Sequence, residues 1–184
     1  SGVPMLAVQL PMMVMALPVV IAVEAALCRR WLGVTWRQAW AGAAAANGVS
    51  TLAGFPLAWG AMVALQLAAD GGAFSTWPEP WFSVYSVTVQ AAWLLPHEGK
   101  LYWMIPAALL VLLIPSFFVT VWMEIVMYGR MFKEVVGVGR ATWRMHFVTY
   151  GLLLAGGLWL LWTSIRQHET RVRDYDGGME VLPG

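Results

Sequence analysis

Two glutamates within long apolar stretches are the residues of this sequence best placed to do chemistry. Glu24 and Glu124 each lie in a run of residues long enough to cross a membrane. A charge at the centre of a membrane helix costs roughly 2.5–3.5 kcal/mol, so an acid there needs a partner or a function. The favoured interpretation is an interfacial ion pair closing each hairpin, in which Glu24 pairs with Arg29, Arg30 or Arg37 and Glu124 pairs with Arg130 or Arg144. The alternative is a proton or cation site built from both acids.

Two further polar side chains fall at a similar depth in the sequence pattern. Asn47 is the only asparagine of the chain, and we expect its amide to hydrogen-bond to a neighbouring helix near Glu24 or Glu124. His146 falls one turn inside the fourth apolar stretch, which favours an interfacial hydrogen-bonding side chain. It is also the one candidate ligand for a haem or a chlorophyll-type pigment, with lipid as the more general expectation for a bound molecule. The pattern predicts no metal site, since no Cys/His cluster occurs.

Small residues recur every four positions in the second apolar stretch. They are Gly42, Ala46, Ser50 and Gly54. In lipid, such a stripe allows two helix backbones to approach closely. We therefore predict that this face packs against protein and not against lipid.

The composition requires a membrane environment for these residues. Hydrophobic residues make up 60% of the chain and charged residues 11%, against roughly 25% charged in a soluble domain. The sequence predicts an all-α integral membrane protein with four transmembrane helices, arranged as two hairpins in a single domain over residues 1–166. The helices are expected at about 5–27, 40–68, 101–128 and 145–165, with an interfacial or re-entrant helix at 81–95 and an extended polar tail at 167–184.

Basic residues predict the orientation of the bundle. They concentrate in the connections between the first and second and between the third and fourth predicted helices, at Arg29, Arg30, Arg37, Arg130, Lys133, Arg140 and Arg144. The positive-inside rule then places both termini on the non-cytoplasmic side, in a bacterial inner membrane. Most of the twelve tryptophans fall near the predicted interfaces, as anchoring belts do.

The two predicted hairpins resemble one another. The Glu24–Arg30 spacing recurs as Glu124–Arg130, and a Trp-Arg pair opens the helix that follows in both cases, at Trp36 and at Trp143. Two hairpins in the same orientation would form a parallel repeat.

The prediction of function rests mainly on the large amount of surface suited to helix packing. No phosphate-binding loop, zincin motif or nucleophile elbow occurs, and no basic run indicates nucleic acid. The favoured prediction is a non-catalytic accessory or structural subunit of a larger membrane complex, with electron-transfer and photosynthetic assemblies as candidates and other membrane subunits as partners. The alternative is a small oligomeric transporter or channel that uses Glu24 and Glu124 as a proton or cation site.

Overall fold

The computed structural model describes residues 3–69, 77–94 and 100–179, and four of its helical segments are long and apolar enough to cross a membrane. The first is α1 (Met5–Leu32). The second joins α2 (Trp36–Val49), a π-helical turn (Ser50–Gly54) and α3 (Phe55–Ala69). The third is α5 (Leu101–Met131), and the fourth is α6 (Val138–Met179), with the short α4 (Trp81–Thr88) between the second and third. The predicted all-helical, multi-pass membrane fold is confirmed.

Short, well-defined turns connect the helices of each hairpin. Gly33 ends α1 in the left-handed conformation (φ 68°), and its N–H donates to the Arg29 carbonyl at 3.1 Å. Thr35 then caps α2: its hydroxyl accepts from the Gln38 N–H, while the Gln38 side-chain oxygen accepts from the Thr35 N–H at 3.0 Å. Gly137, also left-handed at φ 84°, precedes α6. We call the side of the bundle that carries these two turns the connection face.

The second membrane segment is widened where it passes the middle of the bundle. Pro56 has no N–H, so the Leu52 carbonyl has no donor four residues along the helix. The π-helical turn Ser50–Gly54 lies directly before this proline. Single π turns inside α-helices occur frequently at functional sites.

The four segments pack in a ring in chain order. Each contacts the segment before and after it, and α6 closes the ring against α1, so α1 and α5 face each other across the centre. Two apolar layers fill the interior. The layer nearer the connection face includes Cys28, Tyr128, Phe132 and Met145, and the layer at the opposite face is built around Met5, Met62, Met104 and Leu112.

A small group of tertiary hydrogen bonds holds the elements at the opposite face together. The Ala92 carbonyl accepts two hydrogen bonds, from the Met5 N–H at 3.0 Å and from the Trp59 indole N–H at 2.8 Å. Beside it, β1 (Val3–Pro4) pairs antiparallel with β2 (Trp93–Leu94). The helix predicted over 81–95 is shorter than expected, because α4 ends at Thr88 and turns lead from there into β2. Residue 95 lies outside the described part of the chain. Its placement at a membrane interface remains a prediction.

The fourth helix is longer than predicted at both ends. It begins at Val138, not near residue 145, and continues to Met179, so the extended tail predicted from residue 167 is wrong over 167–179. The extension includes the good helix formers Arg166, Gln167, Glu169, Arg171 and Arg173, and neither glycine nor proline interrupts it before Gly177. Within this extension the His168 ring stacks on Tyr102, with centroids 3.9 Å apart and planes at 12°.

Candidate functional site

Glu24 and Glu124 meet at the centre of the bundle. Their exposed fractions are 1% and 0%, and His146, also at 0%, lies with them. One ligand atom from each of the three side chains lies within 4.8 Å of the others. We call these three residues the acid–histidine cluster. By the helical rise of about 1.5 Å per residue, the cluster lies about 10–12 Å inside the helix ends at the connection face.

The arginine partners predicted for the two acids are absent from this arrangement. Arg30 and Arg130 are exposed, and in the described ranges neither carboxylate has an arginine or lysine within ion-pair distance. Helix geometry gives the reason. Six residues at about 100° each carry an arginine roughly 120° away from the face that its glutamate occupies. The prediction of an interfacial ion pair is therefore wrong for both hairpins.

Neutral donors occupy both oxygens of Glu24. The Asn47 amide of α2 donates to Glu24 Oε2 at 2.5 Å and to the Ala43 carbonyl at 3.0 Å. The Thr149 hydroxyl of α6 donates to Glu24 Oε1 at 3.1 Å. Asn47 thus lies beside Glu24, and the Glu24 carboxylate is held in one orientation from two helices.

Glu124 is only half satisfied. The Ser50 hydroxyl donates to its Oε1 at 2.9 Å, but its Oε2 has no hydrogen-bond partner and lies 3.7 Å from the equally unpartnered Nε2 of His146. The other ring nitrogen, Nδ1, lies 3.0 Å from the Thr142 carbonyl. A carbonyl only accepts, so Nδ1 carries a proton and Nε2 of the neutral ring offers a lone pair. Two acceptors face each other here, and a proton or a metal cation between them would satisfy both.

The bonds around the two acids repeat with two-fold symmetry. Each glutamate interacts with a side chain on the next helix of its own hairpin, Glu24 with Asn47 and Glu124 with His146. Three residues beyond each of those side chains is a hydroxyl, on Ser50 or Thr149, that donates to the glutamate of the other hairpin. This reciprocal pattern is what a parallel repeat of the two hairpins would produce, and the repeat itself stays a prediction.

A small cavity adjoins the cluster on the side away from the connection face. Its volume is about 40 Å³, room for one or two water molecules. Its polar lining comes from all four membrane segments: Glu24, Asn47, Ser50, Thr51, Ser116, Thr120, His146 and Tyr150. On the connection side the stacked rings of Tyr128 and Phe132, with centroids 5.9 Å apart, and the buried Met145 fill the interior. The cluster thus has a small, partly polar cavity on one side and a packed apolar layer on the other.

The small-residue stripe lies inside the chain, facing α5. Gly42, Ala46, Ser50 and Gly54 are all buried. A Cβ atom added to Gly42 would lie 2.9 Å from the Phe132 ring, and one on Gly54 would lie 3.2 Å from the Met123 sulfur. The stripe therefore brings α2 close to α5, which places Ser50 within reach of Glu124.

The surroundings of His146 do not suit a haem or chlorophyll-type pigment. Its Nε2 faces Glu124, and the Phe117 and Tyr150 rings lie with centroids 6.4 and 5.9 Å away. The adjoining cavity of about 40 Å³ is far smaller than the roughly 300–1,000 Å³ of small-molecule pockets. Because α6 begins at Val138, the His146 ring lies about two turns inside the helix. Its position at a membrane interface stays a prediction.

Several site residues escaped the sequence interpretation. They are Ser116, Thr142, Thr149 and Tyr150. Their signal is helical spacing: Ser116, Thr120, Glu124 and Tyr128 recur every four residues along α5, and Thr142, His146, Thr149 and Tyr150 share one side of α6. A polar stripe of this kind on an apolar helix indicates an inward-facing polar surface.

Comparisons of the chain with protein-family models, with curated proteins and with solved structures give no match. The chemistry of the acid–histidine cluster is therefore what bears on function.

Proposed function

We propose that this chain is a small membrane transporter or channel that carries a cation through the acid–histidine cluster. The observation that carries the proposal is the pair of unpartnered atoms, Glu124 Oε2 and His146 Nε2, which face each other at 3.7 Å with no exposure. Two carboxylates in an apolar interior are costly unless positive charge neutralises them. In the described part of the chain no arginine or lysine supplies that charge, so a bound cation or a proton is the natural counter-charge.

The space around the cluster supports passage of an ion. A small cavity lined by both apolar and polar side chains adjoins it on one side, and the Tyr128–Phe132 layer closes the other side. A central ion site that is closed toward one face of the bundle is what alternating access requires of one of its states. Pro56 and the π-helical turn also interrupt regular helix beside the cavity, and irregular backbone is typical of ion sites in transporters.

The accessory-subunit prediction loses part of its basis. It rested on a small-residue stripe available for partners and on the lack of paired polar residues deep in the membrane. The stripe packs against α5 of the same chain, and the deep polar residues pair across helices. We retain as proposals a location in a bacterial inner membrane, with the connection face cytoplasmic, and association with other membrane subunits.

Flux measurements on the purified full chain in phospholipid vesicles test the proposal. One set of vesicles carries a pH-sensitive dye and another a dye sensitive to divalent metals, each with an imposed membrane potential. We expect cation entry above that of empty vesicles, and its loss in Glu124→Gln and His146→Gln. Glu169→Gln is the matched control, because Glu169 is an exposed acid on α6. Wild-type flux equal to that of empty vesicles, or full flux in Glu124→Gln, would overturn the proposal.

A further inference from the structure

We infer that the acid–histidine cluster binds a divalent transition-metal ion directly through Glu24, Glu124 and His146. This inference rests on the proposed function, whose cation it identifies by class. Its observation is the convergence of three potential ligand atoms, all within 4.8 Å of one another, two of them without any other partner.

The spacing of the ligand atoms is close to that of a metal site. Zinc-type bonds to imidazole nitrogen and carboxylate oxygen are about 2.0–2.2 Å long, which places neighbouring ligand atoms roughly 3–4 Å apart. The separation of 3.7 Å between Glu124 Oε2 and His146 Nε2 already falls in this range. Glu24 needs a side-chain movement of about 1–2 Å to complete a three-ligand set. The adjoining cavity has room for a water molecule as a fourth ligand.

The donor types select among metals. Magnesium and calcium prefer shells made of oxygen alone, whereas one imidazole with carboxylates suits zinc, manganese, iron or cobalt. The net charge of the three proposed ligands also favours a divalent ion. Two carboxylates and a neutral imidazole are balanced by one divalent ion, while a monovalent ion leaves a net negative charge in the apolar interior.

The surrounding hydrogen bonds orient each proposed ligand. Ligating histidines almost always donate their second ring N–H, often to a backbone carbonyl, and His146 Nδ1 lies 3.0 Å from the Thr142 carbonyl. Ser50 holds Glu124, and Thr149 holds Glu24, each through a hydroxyl donor. Every carboxylate oxygen has two acceptor positions, so an oxygen that accepts one of these bonds keeps a lone pair for a metal.

Metal titration of the detergent-purified full chain, first stripped with a chelator, tests the inference. Co²⁺ is the probe, because its visible absorption reports coordination, and calorimetry with Co²⁺, Zn²⁺ and Mg²⁺ gives stoichiometry and affinity. We expect one Co²⁺ or Zn²⁺ per chain and at least 100-fold weaker binding of Mg²⁺. We expect about 100-fold or greater loss of affinity in His146→Gln and Glu124→Gln, and about 10–100-fold loss in Thr149→Val. His168→Gln removes a histidine far from the cluster and should bind like the wild type.

The outcomes separate this inference from the proposed function. The metal site is overturned if the wild-type protein binds no Co²⁺. It is also overturned if His168→Gln abolishes Co²⁺ binding while Thr149→Val leaves it unchanged. Both outcomes can be read even where a cluster variant fails to fold. Proton flux without metal binding overturns the metal site and leaves transport standing. Stoichiometric metal binding without any flux supports the metal site and overturns transport.

Discussion

Replacing Glu124 by glutamine should make the metal-free protein more stable while removing the proposed cation flux. In the wild type, Glu124 Oε2 and His146 Nε2 both lack a hydrogen-bond partner, and with the ring neutral both are acceptors without a donor. The glutamine oxygen can keep the bond from Ser50, and its amide N–H can donate to His146 Nε2. The substitution therefore supplies the missing donor and removes one buried negative charge.

The size of the gain follows from these two changes. The present separation of 3.7 Å must shorten by roughly 0.5–1 Å to form a hydrogen bond. An intramolecular hydrogen bond contributes about 0.5–1.5 kcal/mol, and satisfying a buried orphan group recovers about 1–3 kcal/mol. We therefore expect the free energy of unfolding to rise by about 1–3 kcal/mol. Glu24→Gln should bring no such gain, because both Glu24 oxygens already have donors in Asn47 and Thr149.

Reversible unfolding of the chelator-treated protein in mixed detergent micelles measures this difference. A fall of about 3–5 kcal/mol for Glu124→Gln would refute the reasoning, because that loss is typical when a buried charge loses its partner. It would show that His146 is an imidazolium bound to Glu124. Repeating the measurement with Zn²⁺ at 100 times its dissociation constant should stabilise the wild type by about 2.7 kcal/mol and leave Glu124→Gln unchanged.

Two further predictions concern packing and orientation. Gly42→Ala should destabilise the fold by about 1–3 kcal/mol in the same unfolding assay, because the added Cβ would lie 2.9 Å from the rigid Phe132 ring. Gly48→Ala is the control: its Cβ would have nothing within 4 Å, so it should be neutral or stabilise the fold by up to about 1 kcal/mol. Equal losses at the two glycines would contradict close packing of α2 on α5. For orientation, membrane-impermeant thiol labelling of intact cells should miss Val136→Cys, which is 97% exposed on the connection face, and reach Arg171→Cys near the other end of α6. The reverse pattern would invert the proposed topology.

Hydropathy and chain length were enough to predict the four membrane segments, because lipid leaves the backbone few alternatives to helix. The depth of the polar residues was harder to predict. Glu24 was assigned to an interface because arginines follow it along the chain, yet at that spacing they lie on another side of the helix. Chain proximity was a poor guide, since the second donor to Glu24 is Thr149, 125 residues further along the chain.

The composition of the single helices gave little indication of the acid–histidine cluster. Counted helix by helix, the deep polar groups are sparse and mostly hydroxyls, which suggested a protein without a chemical centre. Only the ring arrangement of the segments brings them to one point, because α1 and α5 carry the acids on one diagonal while α2 and α6 carry the donors on the other. The small-residue stripe at Gly42 was recognised in the sequence, but which helix it packs against depends on tertiary structure.

The pairing of each acid within its own hairpin bears on how the chain enters the membrane during synthesis. Glu24 emerges from the ribosome shortly before Asn47, and Glu124 shortly before His146, so each acid receives a polar neighbour from the very next helix. A hairpin can then leave the translocation machinery as a unit with its acid already shielded from lipid. Ser50 and Thr149 make the bonds between the hairpins and complete the site only after both units have inserted. We expect each hairpin to insert independently, with the cation site as the last part of the protein to form.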